Sequence, residues 1–589
     1  MNNFWKYTLA TVVGSIMTFI VIFGLLFGIF SVLLAGLGES EVVVNDNSVL
    51  TMNLAIDVPD KASDNPFESI DFMTFESTKV LGLNDILKTL EKAKNDERIK
   101  GIYLDLSYIP AGLASIEEIR NKLIDFKTSG KFIICYSSAY SQKAYYIASV
   151  ADKIYMNPQG GIEWRGLNSQ VMFFKGALEK LGVEAQIFRH GQFKSAVEPF
   201  MNDHMSEASK LQTITLLQSI WDDMCGKIAK QRKLSVADLN MYADSLMVYD
   251  AETALKYGFI DGILYYDEVL AELKTKSGSE DKPEDFMINI NKYCDAKIKT
   301  EKNKSKNKIA VIFAEGDIVD GSKPDNNIAG DWMAGIIREA REDENVKAVV
   351  LRVNSPGGSG LASEIIWREV ELTAKVKPVV VSMGNLAASG GYYISCPANY
   401  IFAQPNTITG SIGVFGMIPN IEKLMNEKLG ITVDGVGTNS NSDFGSIMRP
   451  FTPTEGEFIQ RQVEDFYDVF LTRVSDGRGL TKAEVDSIGQ GRVWSGANAI
   501  EIGLIDEIGG LDNAVKKAKE LAKIEDYRIF EYPEKVDFME KLMTDMSGQA
   551  SEKFLKETLG ENYKFYQLLQ DVNNLRGVQA RMGFAIEIY

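Results

Sequence analysis

Short runs of Val, Ile and Leu alternate with amphipathic stretches along most of this chain. Runs such as "VKAVVLRVN" and "KPVVVSMG" are typical of buried strands, and the stretches between them are typical of helices. Strands that alternate with helices favour an α/β fold with a largely parallel sheet. After about residue 523, Lys, Glu, Met and Leu predominate, which predicts a helical C-terminal extension over 524–589.

This pattern of strands and helices occurs twice along the chain. The segment "DERIKGIYLDLS" at Asp96 returns as "DENVKAVVLRVNS" at Asp343, and "AYYIASVADKIYMNP" at Ala144 returns as "GYYISCPANYIFAQP" at Gly391. Both repeats are 247 residues apart, a period far too long for a solenoid. We therefore predict two tandem copies of one domain, over 48–275 and 308–523, joined by a polar linker over 276–307.

The N-terminus has a different pattern from the rest. No charged residue lies between Lys6 and Glu39, and residues 9–36 form one apolar run. About 20 apolar residues span a bilayer, whereas a cleaved signal peptide has an apolar region of about 7–15. We predict an uncleaved transmembrane anchor over 9–36, with residues 1–8 in the cytoplasm. Lys6 before the run and the acidic residues after it favour export of the remainder.

Composition excludes some classes of protein. The net charge of −18 argues against a general affinity for nucleic acid. The four cysteines have no metal-binding spacing, so buried, unpaired thiols are expected. Only two histidines, His190 and His204, are present, which leaves little material for a zinc site.

Three motifs of the second copy carry candidate chemistry. "RVNSPGGSG" (352–360) follows a strand, and its paired glycines suit either a turn or backbone donors to an oxyanion. Ser389 in "GNLAASGGYYIS" (384–395) stands at a strand-to-helix junction, where it would be a nucleophile or a helix cap. By itself, the motif "TITGSIGV" that contains Ser411 indicates only a loop.

The first copy differs at these positions. It has Gln142 where the second copy has Ser389, and "YIPA" where the second has "SPGG". Conversely, it has Lys194, in the apolar context "FKSAV", where the second copy has Gly445. Lysine acts as a base only when burial lowers its pKa, so Lys194 is either that base or a surface lysine. His190 is the competing base, but no carboxylate is placed to orient it.

Taken together, "RVNSPGG", "GNLAASGGYYIS", "TGSIGV" and "GQFKSAVEPF" in a duplicated chain closely resemble signal peptide peptidase A, or protease IV, in its double-length bacterial form. The resemblance extends from the membrane anchor to about residue 520. It implies tandem ClpP/crotonase-like domains and a Ser-Lys dyad split across the copies. The residues to which it assigns roles are Ser389 as nucleophile, Lys194 as general base, Ser411 as the serine that orients the lysine, and Gly358 and Gly390 as oxyanion donors.

The resemblance also implies a function. The expected protein is a serine endopeptidase of the inner membrane, with its catalytic part in the periplasm, that degrades apolar signal peptides and other extended peptides. It would assemble as a homotetramer and need no metal, nucleotide or organic cofactor. The alternatives are an inactive membrane scaffold and a crotonase-like acyl-CoA enzyme, which would need a CoA site and usually a glutamate.

Overall fold

The computed structural model describes residues 2–36, 42–62, 80–297, 305–323, 327–533 and 578–582. The strands contributed by residues before 298 are β1 (Ser48–Asn53), β2 (Ile99–Asp105), β3 (Phe132–Tyr140), β4 (Lys153–Ile162), β5 (Glu184–Arg189), β6 (Gly262–Ile263) and β7 (Met287–Asn289). The helices of this part are α1 (Asn2–Gly36), α2 (Leu83–Asn95), α3 (Leu113–Lys127), α4 (Gln142–Ala148), α5 (Lys175–Leu181), α6 (Glu198–Met201), α7 (Glu207–Arg232), α8 (Val236–Asp244), α9 (Ala251–Lys256), α10 (Tyr266–Ser277), α11 (Pro283–Phe286) and α12 (Ile290–Tyr293), with a 3₁₀ turn at Ser195–Val197.

The remaining elements follow residue 305. The strands are β8 (Lys308–Glu315), β9 (Ile318–Val319), β10 (Ile328–Ala329), β11 (Val346–Ser355), β12 (Gly357–Ser359), β13 (Val379–Ala388), β14 (Tyr400–Ala403), β15 (Ile408–Gly410), β16 (Phe415–Asn420), β17 (Val493–Ser495), β18 (Glu507–Ile508), β19 (Arg528–Tyr532) and β20 (Gln579–Arg581). The helices are α13 (Gly330–Glu342), α14 (Gly360–Ala374), α15 (Gly390–Ser395), α16 (Pro453–Arg478), α17 (Lys482–Ile488), α18 (Gly496–Glu501) and α19 (Leu511–Ala522), with a π-helical turn at Leu424–Lys428.

Each copy builds one sheet that is almost entirely parallel. The first sheet has the order β6-β4-β3-β2-β1-β7, and the second has the order β17-β15-β13-β11-β8-β19, with β14 on β13 and β18 on β14. In the second sheet the β15–β17 pair is antiparallel. The strands are apolar and buried because helices cover their faces, which is usual for parallel sheets. The predicted α/β fold is confirmed.

The duplication is equally clear in the structure. Helices α2 and α3 and strands β2 and β3 begin 247 residues before α13, α14, β11 and β13. The junction between β3 and α4 in the first copy therefore corresponds to the junction between β13 and α15 in the second. The repeat read from the sequence is thus a repeat of secondary structure.

A third sheet combines the two copies. Its order is β10-β9-β12-β20-β16-β5, so β5 of the first copy ends a sheet whose other strands come from the second copy and, for β20, from the C-terminal extension. Strand β5 pairs antiparallel with β16, from Glu184 opposite Asn420 to Arg189 opposite Phe415. This pairing carries the segment that follows β5 into the second copy.

A buried ionic cluster also joins the copies. The guanidinium of Arg352 in the second copy lies 2.8 Å from Asp60 and 2.7 Å from Glu118, both of the first copy. All three side chains are almost completely buried. Breaking such a cluster leaves uncompensated charge in the interior, so the cluster opposes separation of the copies.

Two predicted boundaries differ from the structure. Strand β7 lies within the predicted linker 276–307 but pairs with β1, Met287 opposite Val49, so it belongs to the first sheet. The prediction of a helical extension over 524–589 is wrong for its described part, where β19 pairs with β8 and β20 pairs with β12 and β16. Residues 534–577 and 583–589 of that extension lie outside the described residues. Composition missed these strands because they are short and their partners are distant in sequence.

Helix α1 contains the predicted anchor. Within it, Phe4–Ile22 is long and apolar enough to cross a membrane, with a mean hydropathy of 1.5. Met17, Phe19 and the other apolar side chains that the structure describes in this stretch are exposed. These properties are compatible with a membrane anchor over 9–36.

Candidate active site

Ser389 stands between β13 and α15 with a strained backbone. Its φ of 54° and ψ of −113° lie outside the regions that non-glycine residues prefer, which costs about 1–3 kcal/mol. Its N–H donates to the carbonyl of Gly410 at 2.8 Å, where β15 pairs with the end of β13. The side chain is buried and aimed into the structure. A sharp strand-to-helix turn of this kind is suited to presenting a nucleophile.

Lys194 of the first copy reaches this serine. It precedes the 3₁₀ turn Ser195–Val197, and its Nζ lies 3.0 Å from Ser389 Oγ. The same Nζ also donates to Ser411, to Oγ at 3.1 Å and to the carbonyl at 3.4 Å. The structure therefore brings together the serine and lysine predicted from different copies, and does so within one chain.

Burial changes the protonation of Lys194. The side chain is 1% exposed, and desolvation of its charged form lowers its pKa from the usual 10.5 to about 7. Nearby lies an apolar cluster formed by Ala196, Val197, Phe415 and Met417. At neutral pH a large fraction of Lys194 is therefore uncharged and able to accept a proton. The alternative of a solvated surface lysine is wrong.

The backbone around Lys194 is held from both sides. Gln212 on α7 donates to the carbonyl of Phe193 at 3.0 Å and to Ser195 Oγ at 2.8 Å, so it brackets the lysine. On the other side, Gly491 has a φ of 83°, and a Cβ there would lie 2.6 Å from Lys194 Cα and Cβ. Sequence reasoning missed both residues, because a helical glutamine and a loop glycine carry no motif.

Ser411 is positioned to orient the lysine. Its φ is 50°, and its N–H donates to the carbonyl of Arg492 at 2.7 Å. Its hydroxyl accepts from Lys194 and donates to the carbonyl of Gly491 at 3.3 Å. A hydroxyl fixed in this way holds the amine near Ser389 whether or not the amine is charged.

The predicted oxyanion glycines lie in adjoining elements. Gly358 lies in β12 and Gly390 begins α15. A Cβ on Gly358 would lie 1.9 Å from the carbonyl oxygen of Ile318, so only glycine fits. A Cβ on the preceding Gly357 would lie 2.5 Å from the amide nitrogen of Gly390, so β12 and the start of α15 are in close contact. Sequence reasoning considered Gly357 only as one of the paired glycines.

In the first copy, the position that corresponds to Ser389 carries no nucleophile. Gln142 begins α4, and its Oε1 accepts from the N–H groups of Arg165 and Gly166 at 2.9 Å each. An amide that bonds to two backbone groups offers no nucleophile. In the second copy, Gly445 lies in an exposed turn. The two copies therefore contribute complementary halves to one site.

The competing base is engaged elsewhere. The ring of His190 stacks on that of Tyr467 with centroids 4.0 Å apart, while Lys194 occupies the position beside Ser389. His204 is exposed next to Asp203.

Thiols do not offer an alternative nucleophile here. Burial raises the pKa of Cys135 and of Cys225 to about 12, so both stay protonated at neutral pH. Cys135, Cys225 and Cys396 are buried and form no disulfide, as predicted, whereas Cys294 is only partly buried. Within the described ranges, His, Cys, Asp and Glu side chains form no cluster of three or more that would suit a metal ion.

Comparison with known proteins agrees with the duplication. The model of peptidase family S49 matches the chain twice, at residues 125–280 and 371–525. Protease 4 of Haemophilus influenzae is 38% identical over 512 residues, which cover 83% of this chain and 82% of that protein. Protease 4 of Salmonella typhi is 39% identical, over 80% of this chain and 76% of that protein. The chloroplastic serine protease SPPA of Arabidopsis thaliana is 32% identical, over 92% of this chain and 78% of that protein. The chain thus belongs to peptidase family S49, as a double-length protease of the protease 4 type.

Proposed function

We propose that the chain is a serine endopeptidase whose nucleophile is Ser389 and whose general base is Lys194. The observation that carries the proposal is the 3.0 Å hydrogen bond between Lys194 Nζ and Ser389 Oγ in a buried site. Burial alone accounts for the lowered pKa of the lysine. A base poised near the working pH is the most effective one.

The reaction follows from these positions. Ser389 Oγ attacks the carbonyl carbon of the scissile bond while neutral Lys194 accepts its proton. The N–H groups of Gly358 and Gly390 donate to the oxyanion of the tetrahedral intermediate. Lys194 then gives the proton to the leaving amine, which departs and leaves an acyl-enzyme. Finally, Lys194 activates a water molecule that releases the acyl group, with Ser411 keeping the amine in place.

The proposed substrates are apolar signal peptides that remain in the membrane after preprotein cleavage. The apolar helix Phe4–Ile22 supports this proposal, because an anchor would keep the site close to the bilayer. In the proposed orientation residues 1–8 are cytoplasmic and the domains lie in the periplasm. Tandem ClpP/crotonase-like domains and assembly as a homotetramer belong to the same proposal.

Peptide cleavage by the purified full-length chain in detergent tests the proposal. Ser389→Ala and Lys194→Ala should each lose activity toward a fluorogenic peptide and a synthetic signal peptide. His190→Ala and Gln142→Ala are the matched controls, since they alter the competing base and the equivalent position of the first copy, and both should remain active. Full activity in either dyad variant refutes the dyad, and loss in His190→Ala with activity in Lys194→Ala would identify the histidine as the base.

A further inference from the structure

Helix α7 of the first copy packs against β17 of the second copy. Two of its polar residues, Gln212 and Ser219, are seven positions apart and therefore lie on one face of the helix. Val493 N–H donates to Gln212 Oε1 at 3.3 Å, and the hydroxyls of Ser219 and Ser495 are hydrogen-bonded at 2.7 Å. This face of α7 thus docks on β17 through two polar contacts.

The docked glutamine also reaches the segment that carries Lys194. Its Nε2 donates to the carbonyl of Phe193 at 3.0 Å and to Ser195 Oγ at 2.8 Å, so both N–H groups of the amide are used. The carbonyl of Phe193 can only accept and the N–H of Val493 can only donate, which fixes the orientation of the amide. Gln212 is 1% exposed, so water does not compete for these bonds.

On the other side of the amide, β17 holds the backbone of the two serines. Val493 pairs with Gly410 of β15, and the carbonyl of Gly410 accepts from the N–H of Ser389 at 2.8 Å. The carbonyl of Arg492, directly before β17, accepts from the N–H of Ser411 at 2.7 Å. One buried amide therefore connects the segment that carries the lysine to the strand that positions both serines.

We propose that Gln212 is a positioning residue that holds Lys194 at proton-transfer distance from Ser389. It does so by tying residues 193–195 to β17 across the junction between the copies. The inference rests on the proposed function of the dyad. The amide bonds only to backbone groups and to one hydroxyl outside the dyad, so it acts through the lysine. Proton transfer requires the hydrogen bond of 3.0 Å between Nζ and Oγ, and a misplacement of about 1 Å can lower the rate about 10²-fold.

The same helix supplies a control for a merely structural role. Ser219 also joins α7 to β17, but its hydrogen bond does not involve the segment that carries the lysine. The hydroxyl of Ser495 also donates to Asn498 Oδ1 at 3.0 Å, so Ser219→Ala leaves it with a partner. If Gln212 only joined the copies, its loss would resemble the loss of Ser219.

Other contacts keep the lysine segment in the fold when Gln212 is changed. Arg189 Nη1 donates to the carbonyl of Lys194 at 3.2 Å, and Phe193 N–H donates to the carbonyl of Gln490 at 3.0 Å. Neither contact involves the amide of Gln212. Substitution of Gln212 should therefore displace the amine of Lys194 without unfolding the segment.

The test compares kcat and KM of wild type, Gln212→Met, Gln212→Glu and Ser219→Ala for a fluorogenic peptide without titratable groups. The proteins are full-length chains in detergent. Methionine has a similar length but makes none of the three bonds, so Gln212→Met should lower kcat by about 10–100-fold at pH 8. Its KM should stay within about twofold, because Gln212 does not bind the substrate. Ser219→Ala should keep both constants within about twofold of wild type.

Gln212→Glu gives a readout that a structural role would not change. A protonated carboxyl still donates one hydrogen bond and accepts another, whereas an ionised carboxylate only accepts. The ratio of its kcat to that of wild type should therefore be highest at pH 5.5 and fall at least about tenfold by pH 9. None of the three partners of the amide titrates, so the introduced carboxyl itself causes this fall. A ratio that stays constant or rises with pH overturns the inference.

The remaining outcomes separate the inference from the proposed function. Full kcat in Gln212→Met, a change in its KM alone, or an equal loss in Ser219→Ala refutes the positioning role. The dyad still stands in those cases if Lys194→Ala is inactive. If Lys194→Ala keeps full activity, the proposed function fails and the inference fails with it. If thermal melting shows that Gln212→Met does not fold, the pH dependence of Gln212→Glu decides.

Discussion

The protonation of Lys194 predicts how activity depends on pH. Burial lowers its pKa from 10.5 to about 7, so about half of the side chains are neutral at pH 7. An unshifted lysine would be about 0.03% neutral at that pH, so burial raises the concentration of the competent base by about 1,500-fold. Because the neutral amine is the proposed base, kcat/KM should rise about tenfold per pH unit below pH 7 and level off above it.

The assay is kcat/KM for a peptide without titratable groups, measured from pH 5.5 to pH 9.5. Lys194→Arg is the comparison, because a guanidinium does not lose its proton. It should lower kcat/KM by about 10²–10⁴-fold above pH 7, where wild type has levelled off, and the difference should shrink at lower pH. A profile that is flat, or one with its midpoint near pH 10, would refute the assignment of the base.

The lowered pKa of Lys194 also makes the free energy of unfolding depend on pH. Between pH 7 and pH 10.5 the unfolded chain holds a proton on Lys194 that the folded chain lacks, so the free energy of unfolding rises by about 1.4 kcal/mol per pH unit. Below pH 7 the folded chain buries a protonated lysine, so the full loss of free energy of unfolding from that burial is present. Lys194→Met should therefore melt at a higher temperature than wild type at pH 6, and the difference should shrink toward pH 10. A difference that does not change with pH would contradict the burial account.

Two further substitutions test the support of the site. Gly491→Ala should lower kcat/KM at least tenfold, because its Cβ would lie 2.6 Å from Lys194. Gly479→Ala is the control and should keep full activity, since Gly479 has a similar φ of 67° but open space around it. Equal activity of the two variants would refute the packing argument. Arg352→Met should lower the free energy of unfolding by about 3–5 kcal/mol in a denaturant titration, because two carboxylates stay buried without their cation. Adding Asp60→Asn to Arg352→Met should recover part of the loss, and no recovery would contradict a charge effect.

Much of the architecture was predictable because it depends on local pattern. The apolar runs predicted β11 and β13, and the constant offset of 247 residues predicted a second copy with the same elements. The sequence placed Ser389 at a strand-to-helix junction, and the φ of 54° shows a strained turn there. The apolar neighbours of Lys194 left a buried base and a surface lysine both open, and the exposure of 1% decides for burial.

What the pattern did not predict depends on contacts between distant segments. Gln212 and Gly491 hold Lys194 through backbone contacts that no motif announces. Strand β20 has only three residues, and its partners precede it by more than 150 positions. Its β-structure is stabilised by pairing with β12 and β16, and composition around it favours helix instead.

The amino-acid sequence by itself determined the α/β class and the duplication, because periodicity and residue type are local properties of the chain, and it made Ser389 and Lys194 candidates for the site. Only the tertiary structure decided that Lys194 meets Ser389 within one chain, at 3.0 Å, since that distance depends on β5 pairing with β16 across the copies. It also decided the lowered pKa, because desolvation depends on what surrounds a side chain rather than on its neighbours in sequence.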